Sequence, residues 1–139
     1  MATFNKFNSF VEALAEQTHN LGSDTLKVAL TNSAPSATNT VLADITQISG
    51  GNGYTTGGTQ ATQSSSVQTS GTYKLVLNDV TFTASGGSIG PFRYVVLYND
   101  TAASDELIGY YDYGTNLTVT SGNSFVVDFD ATNGVLTLT

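Results

Sequence analysis

GPFRYVVLYNDTAASDELIGYYDYG, residues 90–114, is the stretch whose reading decides the fold. It predicts two apolar strands joined by a polar loop over residues 99–106. Phe92, Tyr94, Val96 and Tyr98 alternate with Val95 and Leu97, so both faces of the first strand are apolar, as in a central strand covered on two sides. With Tyr98 opposite Leu107, antiparallel geometry sets Val96 against Gly109, Tyr94 against Tyr111 and Phe92 against Tyr113, and Arg93 faces Asp112. Aromatic then meets aromatic and charge meets countercharge. A slip of one residue would turn every side chain to the wrong face.

Downstream, Phe125, Val127 and Phe129 face one way and Val126, Asp128 and Asp130 the other. Asn133-Gly134 is the strongest short hairpin signal, because a primed turn needs positive φ at both positions. That turn would pair Phe129 with Leu138 and Ala131 with Leu136. Upstream, Tyr73, Leu75 and Leu77 share a face, and after Asn78-Asp79 the apolar phase flips to Val80 and Phe82. A phase flip marks a two-residue turn or a bend where a strand changes sheets, and the bend is the favoured reading.

Residues 59–70 are Gln, Ser and Thr apart from Ala61 and a lone large apolar residue, Val67, too polar to own a core face, and read as a surface loop, an edge strand or a contact arm. Gly50 to Gly58 forms a glycine-rich turn without the Lys of a phosphate-binding loop, and Tyr54 in it reads as a lid over the core. Leu42, Ile45 and Ile48, spaced by three, predict a short helical turn capped by Asn39 or Thr40. Asp24 to Thr31 alternates like a half-exposed strand. Phe7, Phe10, Val11 and Leu14 recur at helical spacing, predicting an amphipathic helix over residues 6–18 that Asn20 and Gly22 end. About seven or eight short strands separated by turns predict a mainly β, antiparallel two-sheet sandwich or jelly-roll-like domain. The whole chain, 1–139, reads as one domain: an N-terminal arm and helix over 1–22, then the β domain over 23–139.

Composition narrows function. Four basic residues stand against eleven acidic ones, for a net charge of −7, so no basic patch forms for nucleic acid. No run approaches membrane-spanning length and the first ten residues lack the apolar core of a signal peptide. There is no cysteine, hence no disulfide frame and no thiolate metal site. His19, the sole histidine, falls at the predicted helix end, where it would offset the helix dipole rather than serve a triad. Asp128 and Asp130 share a strand face with Asp112 near, a carboxylate pair of glycosidase type, but alternating Asp is ordinarily a wet strand face. Asp100, Asp105 and Glu106 lack the ordered ligand spacing of a Ca²⁺ loop. Neither catalytic residues, a cofactor nor a metal site is expected. The contact residues expected are Phe4, Phe7, Tyr54, Val67 and Tyr110, with Arg93 and Asp112 as a structural pair. Tyr110 must face away from Tyr111 and Tyr113, and tyrosine is common at interfaces.

The line from FNKFNSFVEALAEQTHNLGSDTLKVALTNSAP through ADITQISGGNGYT to SGGSIGPFRYVVLYND and the closing VVDFDATNGVLTLT resembles small structural proteins of tailed bacteriophages, most of all capsid decoration, or cement, proteins. The resemblance covers nearly the whole chain and rests on overall pattern. It implies a non-enzymatic subunit, made in the host cytoplasm, that binds the major capsid protein on the virion exterior, stabilises contacts between capsid subunits and associates with its own copies. A tail-associated structural, receptor-binding or carbohydrate-binding protein is the alternative.

Overall fold

In the computed structural model, which describes residues 2–139, ten strands and one helix alternate as an antiparallel, mainly β structure. The strands are β1 (Phe4–Lys6), β2 (Leu26–Thr31), β3 (Thr59–Gln60), β4 (Gln63–Thr69), β5 (Thr72–Leu77), β6 (Val80–Thr83), β7 (Ile89–Asn99), β8 (Leu107–Val119), β9 (Ser124–Val127) and β10 (Leu136–Leu138). The helix α1 covers Asn8–Ala15, and a 3-10 turn covers Leu42–Asp44. A five-stranded sheet in the order β1-β8-β7-β2-β3 forms one layer, with β7 inside it between β8 and β2 as its two apolar faces require. The opposing layer is two pieces, β10-β5-β4 and β6-β9. Val28, Leu30, Val95, Leu97 and Ile108 from the large sheet meet Leu75, Leu77, Val80, Phe82, Val127 and Phe129 from those pieces in the main core. The exposed area, 6819 Å², is what a folded chain of this mass leaves in water, about 6,900 Å² by area scaling.

The β7–β8 pairing starts where the sequence puts it, Tyr98 opposite Leu107, and then slips by one. Leu97 pairs with Gly109, Val96 with Tyr110, Val95 with Tyr111 and Tyr94 with Asp112, because Ile108 is an extra residue on β8. Further irregularities around Phe92 pair it with Leu117 rather than Tyr113. Phe92 therefore lies in the main core with Val95 and Leu97, while Val96 and Tyr98 face a second cluster on the other side of the sheet. Arg93 nevertheless reaches Asp112 through two hydrogen bonds, Nε to Oδ1 at 2.7 Å and Nη2 to Oδ2 at 3.0 Å. Arg93 falls at the register shift between Phe92 and Tyr94, and its long side chain spans the offset to the short Asp112 carboxylate.

The second cluster explains why β2 is not half-exposed. Ala29 is fully buried under Phe7, Ile45, Val96, Tyr98 and Leu107, and Leu42 and Tyr110 pack at its margin. The N-terminal arm, through Phe7, and the 3-10 turn region, through Leu42 and Ile45, supply this cover. Rather than standing apart from the β domain, β1 joins the large sheet, with Phe4 opposite Tyr111 and Lys6 opposite Gly109. α1 is shorter than its apolar spacing suggests, because Gln17 adopts φ 70° and closes a Schellman motif. Its N–H donates to Leu14 O and that of Thr18 to Ala13 O. Phe10 enters the main core, whereas Val11, read as part of the same stripe, is 52% exposed.

The flip after Leu77 is the change of sheet that the alternation requires. β5 belongs with β4 and β10, β6 with β9, and the Asp79 carboxylate at the bend accepts the N–H of Phe129. Asn133-Gly134 does turn the chain, but not as a hairpin. Asp130 Oδ1 accepts the N–H groups of Thr132 and Asn133, Gly134 N–H closes on Asp130 O, and only Gly134 has positive φ. The turn delivers Leu136 and Leu138 to Leu75 and Tyr73 of β5, not to Ala131 and Phe129. The primed two-residue turn is Ser70-Gly71, with φ 52° and 85°, between β4 and β5. At the 3-10 turn no side chain of Asn39 or Thr40 caps. Asp44 reaches back instead, accepting the N–H groups of Thr40 and Val41.

Candidate functional site

The expected contact residues separate into two kinds. Phe7 is fully buried and Tyr54 is 2% exposed, so both belong to the chain's own core and neither presents a surface. The Tyr54 hydroxyl accepts Leu30 N–H and donates to Gln47 Oε1 at 2.8 Å, the lid its position suggests. Burial pushes its ionisation upward. Phe4 is half-buried, its ring 5.5 Å from that of Tyr111, so it docks on its own β8. Tyr110 faces away from Tyr111 and Tyr113, as strand alternation demands, but its ring lies 5.3 Å from Phe7 and 6.3 Å from Tyr94. Val67 alone of the five is open, 54% exposed on β4. Val126 and Leu138, not among the expected contact residues, are also exposed, at 45% and 43%, Val126 on the face that strand alternation shares with Asp128.

The carboxylates are engaged locally. Arg93 and the Gly114 N–H hold Asp112 below the usual carboxylate range. Asp130 is lowered by the backbone and side-chain donors of Asn133 and by Thr132, and Asp44 by the N–H groups of Thr40 and Val41. Asp130 thus serves its turn. Asp128 instead borders a groove of 260 Å³ with Ala2, Tyr111, Tyr113 and Val126. Tyr111 and Tyr113 pack edge-on against Phe129 and Phe125, and burial raises both phenols. In the β7–β8 loop Asp100 pairs with Lys27 at 3.1 Å, while Asp105 is pushed upward by burial and by Asp100. Among the described residues no group of His and acidic side chains is disposed to hold a metal ion.

His19 is not at the helix end. α1 stops at Ala15, and His19 is 4% exposed, its ring 5.4 Å from Phe10. Asn99 Oδ1 accepts the N–H groups of Thr101 and Ala102, so its amide nitrogen is the donor to His19 Nδ1 at 3.0 Å and to Asp24 Oδ2 at 2.7 Å. The histidine proton therefore sits on Nε2, which has no partner among the described residues. Burial lowers its pKa from 6.5, against the opposing pull of Glu106 and Asp24. No local pattern signals this network, since Asn99 is eighty positions from His19.

A pH profile follows from these shifts. The folded chain binds the His19 proton less readily than the unfolded one, so stability is complete above pH 6.5 and falls as pH drops from there toward the lowered folded value. Asp44, Asp112 and Asp130 add a second loss below their ordinary 3.8, where the folded state still holds them ionised. Urea midpoints should fall between pH 7 and pH 5 in the native chain, and His19→Gln should abolish that fall while keeping the more acid one. An identical decline in His19→Gln would refute the assignment.

Neither a family model, a curated protein nor a solved structure matches this chain.

Proposed function

We propose that the protein is a non-enzymatic structural component of a tailed-phage virion, bound to the outside of the head, where it stabilises contacts between capsid subunits and associates with its own copies. The resemblance of sequence pattern supports this reading. The observation that carries it is the use made of the polar residues. Asp24, Asp44, Asp112 and Asp130 are each tied to turns, caps or a neighbouring side chain, and uncharged Ser, Thr, Gln and Asn cover the loops and the β4 edge. A rigid acidic body of this kind suits an outer surface, away from packaged nucleic acid, and its many modest contacts gain strength through copy number.

A tail-borne carbohydrate-binding role is the second reading, favoured by the groove that Tyr111, Tyr113 and Asp128 border, since aromatic faces beside carboxylates suit sugars. Cryo-microscopy of particles decides between them. Density for the chain on the outer head is the expected result, and particles stripped of it should lose heat tolerance and regain it when purified protein is added back. Density confined to the tail would reject the head assignment.

A further inference from the structure

Of the strands that close a sheet, β4 is the longest. It closes the β10-β5-β4 sheet, and the Ser64–Ser70 backbone makes no hydrogen bond beyond its pairing with β5 among the described residues. The other closing strands are two to four residues long, against seven here, and the side of β8 left open beyond β1, residues 112–119, carries the charge of Asp112 and the left-handed Gly114. Isolated proteins usually protect such an edge with lysine, proline or a bulge. From Ser65 to Thr69 there is no Pro, no charge and no break in register; the one irregularity lies before Ser65.

Charge identifies what lies against it. Two copies of a chain with net charge −7 repel over most of their surfaces, yet residues 45–73 contain no Asp, Glu, Lys, Arg or His, and β4 sits within that run. Val67 stands on the open face of the strand, 54% exposed, between Ser65 and Thr69, with Lys74 opposite it on β5 and the Lys74 ammonium donating to Thr132 O. A symmetric contact needs one patch that complements itself, and an uncharged antiparallel strand does so through its backbone alone.

We propose that two copies of this chain join edge to edge through β4, about a two-fold axis at Val67. The product is a six-stranded sheet, β10-β5-β4 continued into the same three strands of the partner in reverse order. Val67 of each copy then faces its counterpart, Ser65 faces Thr69, and about five or six backbone hydrogen bonds cross the interface. This proposal specifies the self-association contained in the functional reading above. Its test uses the isolated chain, so it stands or fails independently of where the protein sits in a particle.

The native chain has no cysteine, which makes a single Val67→Cys substitution a clean probe. Residues opposed across an antiparallel pair bring their Cβ atoms near disulfide range. Air oxidation of Val67→Cys should give a covalent dimer as the main product, while Val126→Cys and Val11→Cys, equally exposed, remain monomeric. Sedimentation equilibrium of the native chain should show a dimer that tightens with added salt, as screening relieves the mutual repulsion. Val67→Glu, folded by circular dichroism, should weaken that dimer about tenfold or more. A native chain that stays monomeric across the concentration series would overturn the proposal. So would a dimer indifferent to Val67→Glu, or cross-linking no greater at residue 67 than at the two control positions.

Discussion

Phe7→Ala should lower stability by about 3–5 kcal/mol, roughly 10–20 °C in Tm for a chain of this size. Phe7 is fully buried and fills the outer face of the five-stranded sheet over Ala29, Val96, Tyr98 and Leu107. Its backbone N–H also donates to Ile108 O, the residue that bulges from β8, so the ring and the main chain fasten the arm at one point. Truncation leaves a cavity that the sheet cannot collapse to fill, because β2 and β7 are held from the other side by the main core. The loss should be uneven, with the amides of Phe4–Lys6 losing hydrogen-exchange protection before those of β7. Val11→Ala is the matched comparison. Sequence spacing puts both residues on one helical stripe, but Val11 is 52% exposed, and its truncation should change stability by less than about 0.5 kcal/mol. Equal losses in the two variants would mean that the arm does not cover the sheet.

What was legible in the sequence was what short-range alternation controls. The change of sheet at Asn78-Asp79 could be read because the apolar phase reverses within four residues, and β7 because both of its faces are apolar. The opposition of Tyr110 to Tyr111 and Tyr113 follows from the pleat alone. The ion pair of Arg93 and Asp112 survived a wrong register because the long Arg93 side chain spans the error. What escaped is set by remote partners. The bulge at Ile108 has no signature of its own in a run where every residue suits a strand. Asn133-Gly134 carries hairpin composition, yet Asp130 captures the N–H groups that a primed turn would orient otherwise, and β10 finds β5 some sixty positions back. Of the five contact residues, Phe7 and Tyr54 had a core reading of their own, the apolar helix stripe and the lid. Both are buried in the chain's own core, Phe7 on the outer face of the large sheet and Tyr54 beneath the glycine-rich loop.

Gly58→Ala should be the most damaging of the glycine substitutions at similar backbone angles, and Gly114→Ala measures how much of that damage is conformational. The two residues have φ 77° and 79°, a region where a Cβ costs about 1–2 kcal/mol by itself. Around Gly114 nothing lies within 4 Å of the added atom. At Gly58 the same atom would overlap the carbonyl oxygen of Val28 and come within 2.6 Å of its carbon and 3.0 Å of Ala29 Cα. Those are backbone atoms of β2, which cannot swing aside as a flexible side chain would. The 54–58 loop cannot yield either, since Tyr98 hydroxyl donates to Gly57 O at 2.5 Å, and Gln47 Oε1 accepts both Gly57 N–H and the Tyr54 hydroxyl. Relief requires peeling β3 from β2 and breaking that hydroxyl network beneath it. Gly58→Ala should therefore cost about 4 kcal/mol or more by urea denaturation, against about 1–2 for Gly114→Ala. The chain has no tryptophan, so tyrosine emission is readable, and displaced Tyr54 and Tyr98, two of its seven tyrosines, should alter it. If the two alanine variants unfold at the same urea concentration, the loop is not clamped against β2 and the close approach at Val28 does not govern this edge of the sheet.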